Sequence, residues 1–337
     1  MKAIVYHNYG SPDVLRLEEL PKPKPRDNEV LVKIAAASVA AGDWHLLRAE
    51  PFIARFMSGL LRPKYKILGA DVAGWVEAVG RNVKQFQPGD AVYGDLSACG
   101  FGGFAEYVAA PEGALAPKPA RLSFEEAAAV PVSALTALQG LRDHGKLQPG
   151  QRVLINGASG GVGAFAVQIA KALGGEVTAV CSTSKVEMVR AFGVDDVIDY
   201  TKIDFTTLDQ RYDLILAVNG YHPIGAYRRV LNPHGIYVMC GGTNAQMFQA
   251  ILLGPLLSRR GGRKLGHMLA TPNQRDLVLL SELIDAGQIT PVIDRCYPLH
   301  QVAEAIRYVE KGHARGKVVI TVAPQEKRAP KIGDAVG

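Results

Sequence analysis

The sequence predicts an α/β protein of two units: a β-rich, turn-punctuated unit and a doubly wound parallel sheet flanked by helices. Three observations carry that expectation. The chain has 337 residues, more than one hydrophobic core usually serves. Its first third breaks into short apolar runs divided by Pro and Gly. From Gln151 onward, strand-like and helix-like segments alternate, the rhythm of a parallel sheet with crossover helices.

In chain order, Lys2–Tyr6, Glu29–Ala37 and Asp71–Val79 read as strands, followed by the turn-and-strand run Gln87-Pro88-Gly89-Asp90-Ala91-Val92-Tyr93. Pro21-Lys22-Pro23-Lys24-Pro25 marks a break between them. At Ser123-Phe124-Glu125-Glu126 the texture changes: Ser at the cap with Glu three positions on is a capping box, and it opens an Ala-rich helix. Arg152–Asn156, Glu176–Cys181, Asp213–Val218 and Gly235–Cys240 then read as strands, with Val162–Leu173 and Lys185–Phe192 as helices among them. Strand Pro291–Tyr297, helix Gln301–Lys311 and strand Lys317–Val322 close the fold, and the polar, Pro-rich tail from Pro324 reads as loose.

Composition bounds the class. Apolar residues at 48% and charged residues at 21% are ordinary for a globular protein and exclude a disordered chain. Met1–Tyr6 lacks the apolar core of a signal peptide, and the run Ile251–Leu257 is too short to span a bilayer and is broken by Gly254-Pro255. The cysteines Cys99, Cys181, Cys240 and Cys296 are far apart, without CxxC or disulfide-like spacing. A cytosolic, reduced protein is the expectation.

The net charge of +6 is unevenly placed. From Leu214 to Arg275 there is no Asp or Glu, while Arg228, Arg229, Arg259, Arg260, Arg263, Lys264 and Arg275 all fall there. Such a field attracts phosphates, acidic acyl groups or membrane headgroups, or it is simply a solvated basic face. It lacks the aromatic interleaving of a nucleic-acid surface, so no nucleic acid is expected as a partner.

The most informative motif is Val153-Leu154-Ile155-Asn156-Gly157-Ala158-Ser159-Gly160-Gly161-Val162-Gly163, which runs into Ala164–Leu173. An apolar strand enters a glycine turn and an apolar helix leaves it, the context a dinucleotide site requires. Ser159, Gly160, Gly161, Val162 and Gly163 then stand where backbone N–H groups and the positive helix end meet a pyrophosphate. At the end of the next strand an NAD site usually carries Asp or Glu for the ribose hydroxyls. Here Ala179-Val180-Cys181-Ser182-Thr183-Ser184-Lys185 offers hydroxyls and an ammonium instead. Ser182, Thr183 and Lys185 suit a 2′-phosphate, which favours NADPH; alternatively Ser182 caps the next helix and Lys185 is solvated.

Several stretches resemble the zinc-independent, quinone oxidoreductase-like branch of the medium-chain dehydrogenase/reductase superfamily. They are Gly69-Ala70-Asp71-Val72-Ala73-Gly74, Phe86–Gly94, Gly103-Phe104-Ala105-Glu106-Tyr107, Ala129–Ala137, Val197-Ile198-Asp199-Tyr200 and Gly316-Lys317-Val318-Val319. The resemblance implies a GroES-like β-rich catalytic domain from residues 1–122 and 296–337. It implies a Rossmann NADPH-binding domain from residues 123–295. It also implies a homodimer, with strands near Gly235–Cys240 meeting across a two-fold axis.

Zinc-dependent members of that superfamily place a Cys before the position of Asp43, a His before that of Asp71 and a Cys near Val132. This chain has Val39/Ala40, Ala70 and Val132 there, and only Cys99 where a structural zinc lobe needs four cysteines. No metal is expected. Without a Lewis acid to stabilise an alkoxide, reduction of a quinone or of a C=C bond conjugated to a carbonyl (an enone or enal) becomes the expected chemistry.

By resemblance, Ala40-Ala41-Gly42-Asp43-Trp44-His45 lies beside the nicotinamide. Asp43 is a candidate for orienting ribose or water, Trp44 for walling the pocket and His45 for relaying a proton; a turn-capping Asp, a core Trp and a surface His are the plain alternatives. The resemblance also assigns Tyr200 to the adenosine phosphate, Thr136 to the nicotinamide amide, and Asn219 with Cys240-Gly241-Gly242 to the strand ends at the cofactor. Lys317 joins them as a cofactor contact. Met247–Leu269 is expected to be a lid over the substrate, hinged at Gly254, Gly261 and Gly262. The competing readings are an enoyl-thioester reductase, favoured if the basic stretch holds phosphates, and a low-turnover NADPH-binding scaffold with weak contact to a membrane surface or partner.

Overall fold

A computed structural model describes residues 1–52, 55–258 and 262–322. Fifteen strands are defined among the described residues. In the N-terminal unit they are β1 (Lys2–Val5), β2 (Arg16–Glu19), β3 (Glu29–Val39), β4 (Asp71–Val79), β5 (Ala91–Asp95), β6 (Tyr107–Pro111) and β7 (Leu115–Pro117). The next six are β8 (Arg152–Asn156), β9 (Glu176–Cys181), β10 (Asp196–Asp199), β11 (Tyr212–Ala217), β12 (Leu231–Met239) and β13 (Lys264–His267). The last two are β14 (Ile293–Pro298) and β15 (Lys317–Thr321).

The strands divide between two principal sheets. One runs β14-β15-β3-β4-β5-β7, with β6 on β3, and returns the end of the chain to its beginning. Strand β3 is long enough to pair β6 through Glu29–Lys33 and β15 through Ala36–Val39 on the same edge. The other sheet runs β10-β9-β8-β11-β12-β13, every pair parallel. Helices on both faces bury it, so its central strands are apolar without alternation: Val153, Leu154 and Ile155, and Leu214 to Ala217, are fully buried. The chain order reverses between β8 and β11. Ligands of such sheets sit in the crevice at that reversal, beyond the carboxyl ends of the strands.

Two expectations from sequence are corrected here. Gly235–Cys240 lies in an interior strand: β12 has β11 on one side and β13 on the other, so the free edge belongs to Lys264–His267. The Met247–Leu269 stretch is not a loop lid. It forms helices Asn244–Leu252 and Gly254–Ser258 and then β13, a parallel strand of the sheet. Gly254 serves close packing rather than hinging, since a Cβ there would stand 2.6 Å from the Leu265 carbonyl oxygen. Gly261, Arg259, Arg260 and the tail from Pro324 lie outside the described residues.

Candidate active site

The glycine turn after β8 is built as the sequence predicts. Gly157 sits at φ +94°, and a Cβ on Gly163 would stand 2.0 Å from the Gly157 carbonyl oxygen, so helix Gly161–Ala172 can approach the strand only without side chains there. Gly160 occupies the N-cap with no side-chain cap bond, which leaves the helix start open to an anion. Ser159 is buried and its carbonyl accepts from Gly316 N–H at 3.1 Å. This bond brings the loop before β15 against the turn, and a Cβ on Gly161 would meet Lys317 Cδ at 2.9 Å. Val162 is half-buried on the helix.

Farther along the same loop, Lys185 Nζ donates to the Ala314 carbonyl at 3.2 Å. Burial, and then the neighbouring Arg315 charge, pull the Lys185 ammonium below its ordinary pKa. Loop 314–317 therefore lays Lys185, Arg315 and Lys317 beside the glycine turn. Ser182 makes no capping bond to the turn that follows it. Thr183 is engaged: its hydroxyl donates to Asp199 Oδ2 at 2.6 Å. A carboxylate absent from the end of β9 thus stands at the end of β10, where Thr183 and Thr201 occupy it. The Thr183 hydroxyl, together with Thr201, pushes Asp199 down to a pKa of about 2. Tyr200 follows it with its ring 47% exposed and 5.7 Å from that of Tyr221.

At the other strand ends, Asn219 is exposed directly above the glycine turn, where a Cβ on Gly157 would meet its Cβ at 2.9 Å. Gly241 and Gly242 follow β12, and their lack of side chains answers to protein packing. A Cβ on Gly241 would stand 2.2 Å from the Val218 carbonyl oxygen, and one on Gly242 would stand 2.6 Å from that of Gly220. Burial pushes the Cys240 thiol up to about 12, away from the thiolate that a nucleophile needs. Thr136 donates its hydroxyl to the Val132 carbonyl at 2.7 Å, so only its oxygen lone pairs are open to a ligand.

The β-rich unit contributes a buried polar cluster that sequence reasoning did not assemble. In register, Ser38 on β3, Asp71 on β4 and Asp95 on β5 are cross-strand neighbours, and β15 adds Lys317. Asp71, wholly buried, accepts from Ser38 Oγ at 2.6 Å, Val132 N–H at 2.7 Å and Lys317 Nζ at 2.9 Å. Asp43 accepts from Ala40 N–H at 2.8 Å and Gly69 N–H at 2.9 Å. Its burial outweighs those two bonds and raises its pKa to about 7. Burial, and then the Asp71 charge, raise Asp95 to about 6. The readable signal was the residue pairing implied by adjacent antiparallel strands, which requires the register.

Asp43 therefore holds the turn that carries Trp44 and His45. These two rings stack with centroids 3.5 Å apart, and His45 Nδ1 lies 2.9 Å from the Glu50 carbonyl. Burial pulls the His45 pKa below its ordinary value.

Comparison with known proteins agrees with the fold. The alcohol dehydrogenase GroES-like domain model matches residues 26–120, and the model described as zinc-binding dehydrogenase matches residues 192–320. The chloroplast envelope quinone oxidoreductase homolog of Arabidopsis thaliana is 33% identical, over 95% of this chain and 98% of its own length. The chain belongs to the medium-chain dehydrogenase/reductase superfamily, in its quinone oxidoreductase-like branch. Within that superfamily, the NADPH-dependent alkenal/one oxidoreductase of A. thaliana is 33% identical over 96% of this chain and 80% of its own length. The quinone oxidoreductase structure from Coxiella burnetii superimposes with a TM-score of 0.86 at 30% identity, over 96% of this chain and 99% of that one. This medium-chain dehydrogenase/reductase thus has the GroES-like unit and Rossmann sheet of its superfamily. Among its described residues no helix is long and apolar enough to cross a membrane.

Proposed function

We propose that the protein reduces quinones or α,β-unsaturated carbonyl compounds with NADPH and without zinc. The observation that carries this reading is the Asp71 cluster. The places where zinc-dependent members of the superfamily carry ligands hold Ala70 and Val132, and Asp71 is already closed by Ser38, the Val132 N–H and the Lys317 ammonium. A fixed ammonium 2.9 Å from the carboxylate repels a dication, so these residues do not fit zinc, despite the description of the matching family model. Among the described residues no group of three or more His, Cys, Asp or Glu is placed to hold a metal.

The residues do fit a nicotinamide dinucleotide, which supplies a hydride when bound. The open start of helix Gly161–Ala172 receives the pyrophosphate, and Ser182, Lys185 and Arg315 take a 2′-phosphate, with Tyr200 beside them. Asp43 acts by positioning: it fixes the turn so that Trp44 walls the substrate crevice. His45 is a poor proton donor. When its Nδ1–H serves the Glu50 carbonyl, the neutral ring has no proton on Nε2, and burial keeps the ring neutral. The relatives named for quinones and for alkenals and alkenones support the substrate class. A cytosolic location stays part of the proposal, although both Arabidopsis relatives are named for the chloroplast.

The test is NADPH oxidation against a quinone, a small enone and a crotonyl-type thioester, using protein of measured metal content. Turnover with the quinone or the enone, no stoichiometric zinc and no effect of chelators are expected. One tightly bound zinc per chain, or turnover of the thioester alone, overturns the reading.

A homodimer is the oligomeric part of the proposal. Its support is β13, an edge strand whose outer backbone groups have no strand partner among the described residues, a standing template for a second copy. Light scattering is expected to give twice the chain mass, and a monomer at micromolar concentration counts against it.

A further inference from the structure

Two exposed aromatic side chains stand at the carboxyl edge of the parallel sheet. Tyr200 follows β10 and Tyr221 follows β11, and β9 and β8 lie between those two strands, a separation of roughly 14 Å. The rings close that gap: their centroids are 5.7 Å apart and their planes stand at 55°.

Both rings have firm supports. Tyr200 N–H donates to the Cys181 carbonyl at 3.1 Å, which sets it beside Ser182. The backbone around Tyr221 is fixed residue by residue. Asn219 N–H donates to the Asn156 carbonyl at 3.1 Å, Gly220 N–H to the Gly241 carbonyl at 3.2 Å and Tyr221 N–H to the Tyr227 hydroxyl at 3.3 Å. The same Tyr227 oxygen accepts from Asn156 Nδ2 at 2.7 Å, which ties it to the end of β8. The His222 carbonyl accepts from Gln246 Nε2 at 2.9 Å, and the His222 ring lies against that of Tyr221, centroids 4.3 Å apart. Burial pushes the Tyr221 hydroxyl up to about 12, so the ring stays a neutral phenol. Two large rings held open to water on so rigid a support form a ready-made notch for a flat group.

We propose that Tyr200 and Tyr221 form a notch for the adenine of the dinucleotide, and that Tyr221 sets how much affinity the base contributes. The proposal rests on the cofactor reading above, in which the 2′-phosphate lies at Ser182, Lys185 and Arg315. Adenine is carried by the same ribose as that phosphate, so the base lies within one sugar of Ser182, where Tyr200 stands. Planes at 55° let a flat heterocycle lie face-on to one ring and edge-on to the other, both arrangements that aromatic rings favour. Stacking does not read the 2′-phosphate, so NADPH and NADH both use the notch, whereas Lys185 serves NADPH alone.

The experiment is fluorescence titration of the full chain with NADPH, NADH and reduced nicotinamide mononucleotide, which lacks the adenosine. The variants are Tyr221→Ala, Tyr221→Phe and, from the other strand, Tyr200→Ala, with the melting temperature as the control for folding. Each Ala variant is expected to weaken both dinucleotides by a common factor, roughly tenfold for Tyr221→Ala, the loss of one base–aromatic stack. Tyr221→Phe is expected to keep the parental affinities, and the mononucleotide to bind parent and variants alike. Dinucleotide affinities that Tyr221→Ala leaves unchanged overturn the proposal. So does loss of the mononucleotide in the same proportion, or a Phe variant as weak as the Ala variant. A parent chain that binds neither dinucleotide overturns the cofactor reading itself, and the adenine notch with it.

Discussion

Replacing Lys317 with Met is expected to lower the melting temperature by roughly 6–20 °C, the largest effect of any single substitution proposed for this chain. The side chains of Lys317 and Asp71 are 3% and 0% exposed and lie 2.9 Å apart. Removing the ammonium leaves a carboxylate with hydrogen bonds from Ser38 and Val132 but no countercharge, within a cluster that already contains Asp43 and Asp95. Breaking a buried pair in this way costs about 3–5 kcal/mol, and a domain of this size loses a few degrees per kcal/mol. Adding Asp71→Asn to Lys317→Met removes the stranded charge and is expected to recover more than half of the loss. Thermal unfolding of the two variants beside the parent checks both statements. A single variant as stable as the parent, or a double variant no better than the single, shows that the pair is not the electrostatic unit. Dinucleotide affinity separates the second role given to Lys317: contact through the glycine turn predicts that binding stays weak in the double variant although stability returns.

The parts of the fold that local chemistry determines were legible. Ser123 and Glu126 form the capping box that their spacing announces, and the glycine turn is tight for the steric reasons its sequence suggests. Helices at Thr243 and Asn273 carried comparable signals that sequence reading passed over. Thr243 and Gln246 form a second capping box, and Asn273 caps a helix whose Leu277, Leu280 and Ile284 recur at helical spacing. The position of Met247–Leu269 after Gly241-Gly242 and its glycines suggested a hinged lid, and the short β13 within it was invisible until its partner β12 was in place. The dimer strand near Gly235–Cys240 came from the family resemblance, which does not say which strand is the edge here. The Asp71 cluster was illegible because its members come from four strands up to 279 positions apart, from Ser38 to Lys317, joined only by register. Asp199 beside Thr183 is of the same kind: a strand-end rule looked for a carboxylate on β9, whereas one stands at the end of the neighbouring strand.

That displaced carboxylate sharpens the choice of cofactor. Asp199 would accept from the ribose hydroxyls of NADH, but Thr183 and Thr201 already occupy it and Lys202 lies 3.7 Å away. Lys185 and Arg315, by contrast, stand together, and burial and then the Arg315 charge pull the Lys185 ammonium below its ordinary pKa, so an anion between them is favoured. NADPH is therefore expected to bind more tightly than NADH, and Lys185→Ala to erase most of the difference. A charge-assisted bond to phosphate contributes about 1.5–3 kcal/mol, so NADPH affinity should fall about ten- to hundredfold while NADH affinity hardly moves. Fluorescence titration of both dinucleotides against parent and variant measures this. Equal affinities in the parent would remove the preference itself; a variant that loses NADH as severely as NADPH would mean that Lys185 supports the loop through its bond to Ala314 rather than reading the 2′-phosphate.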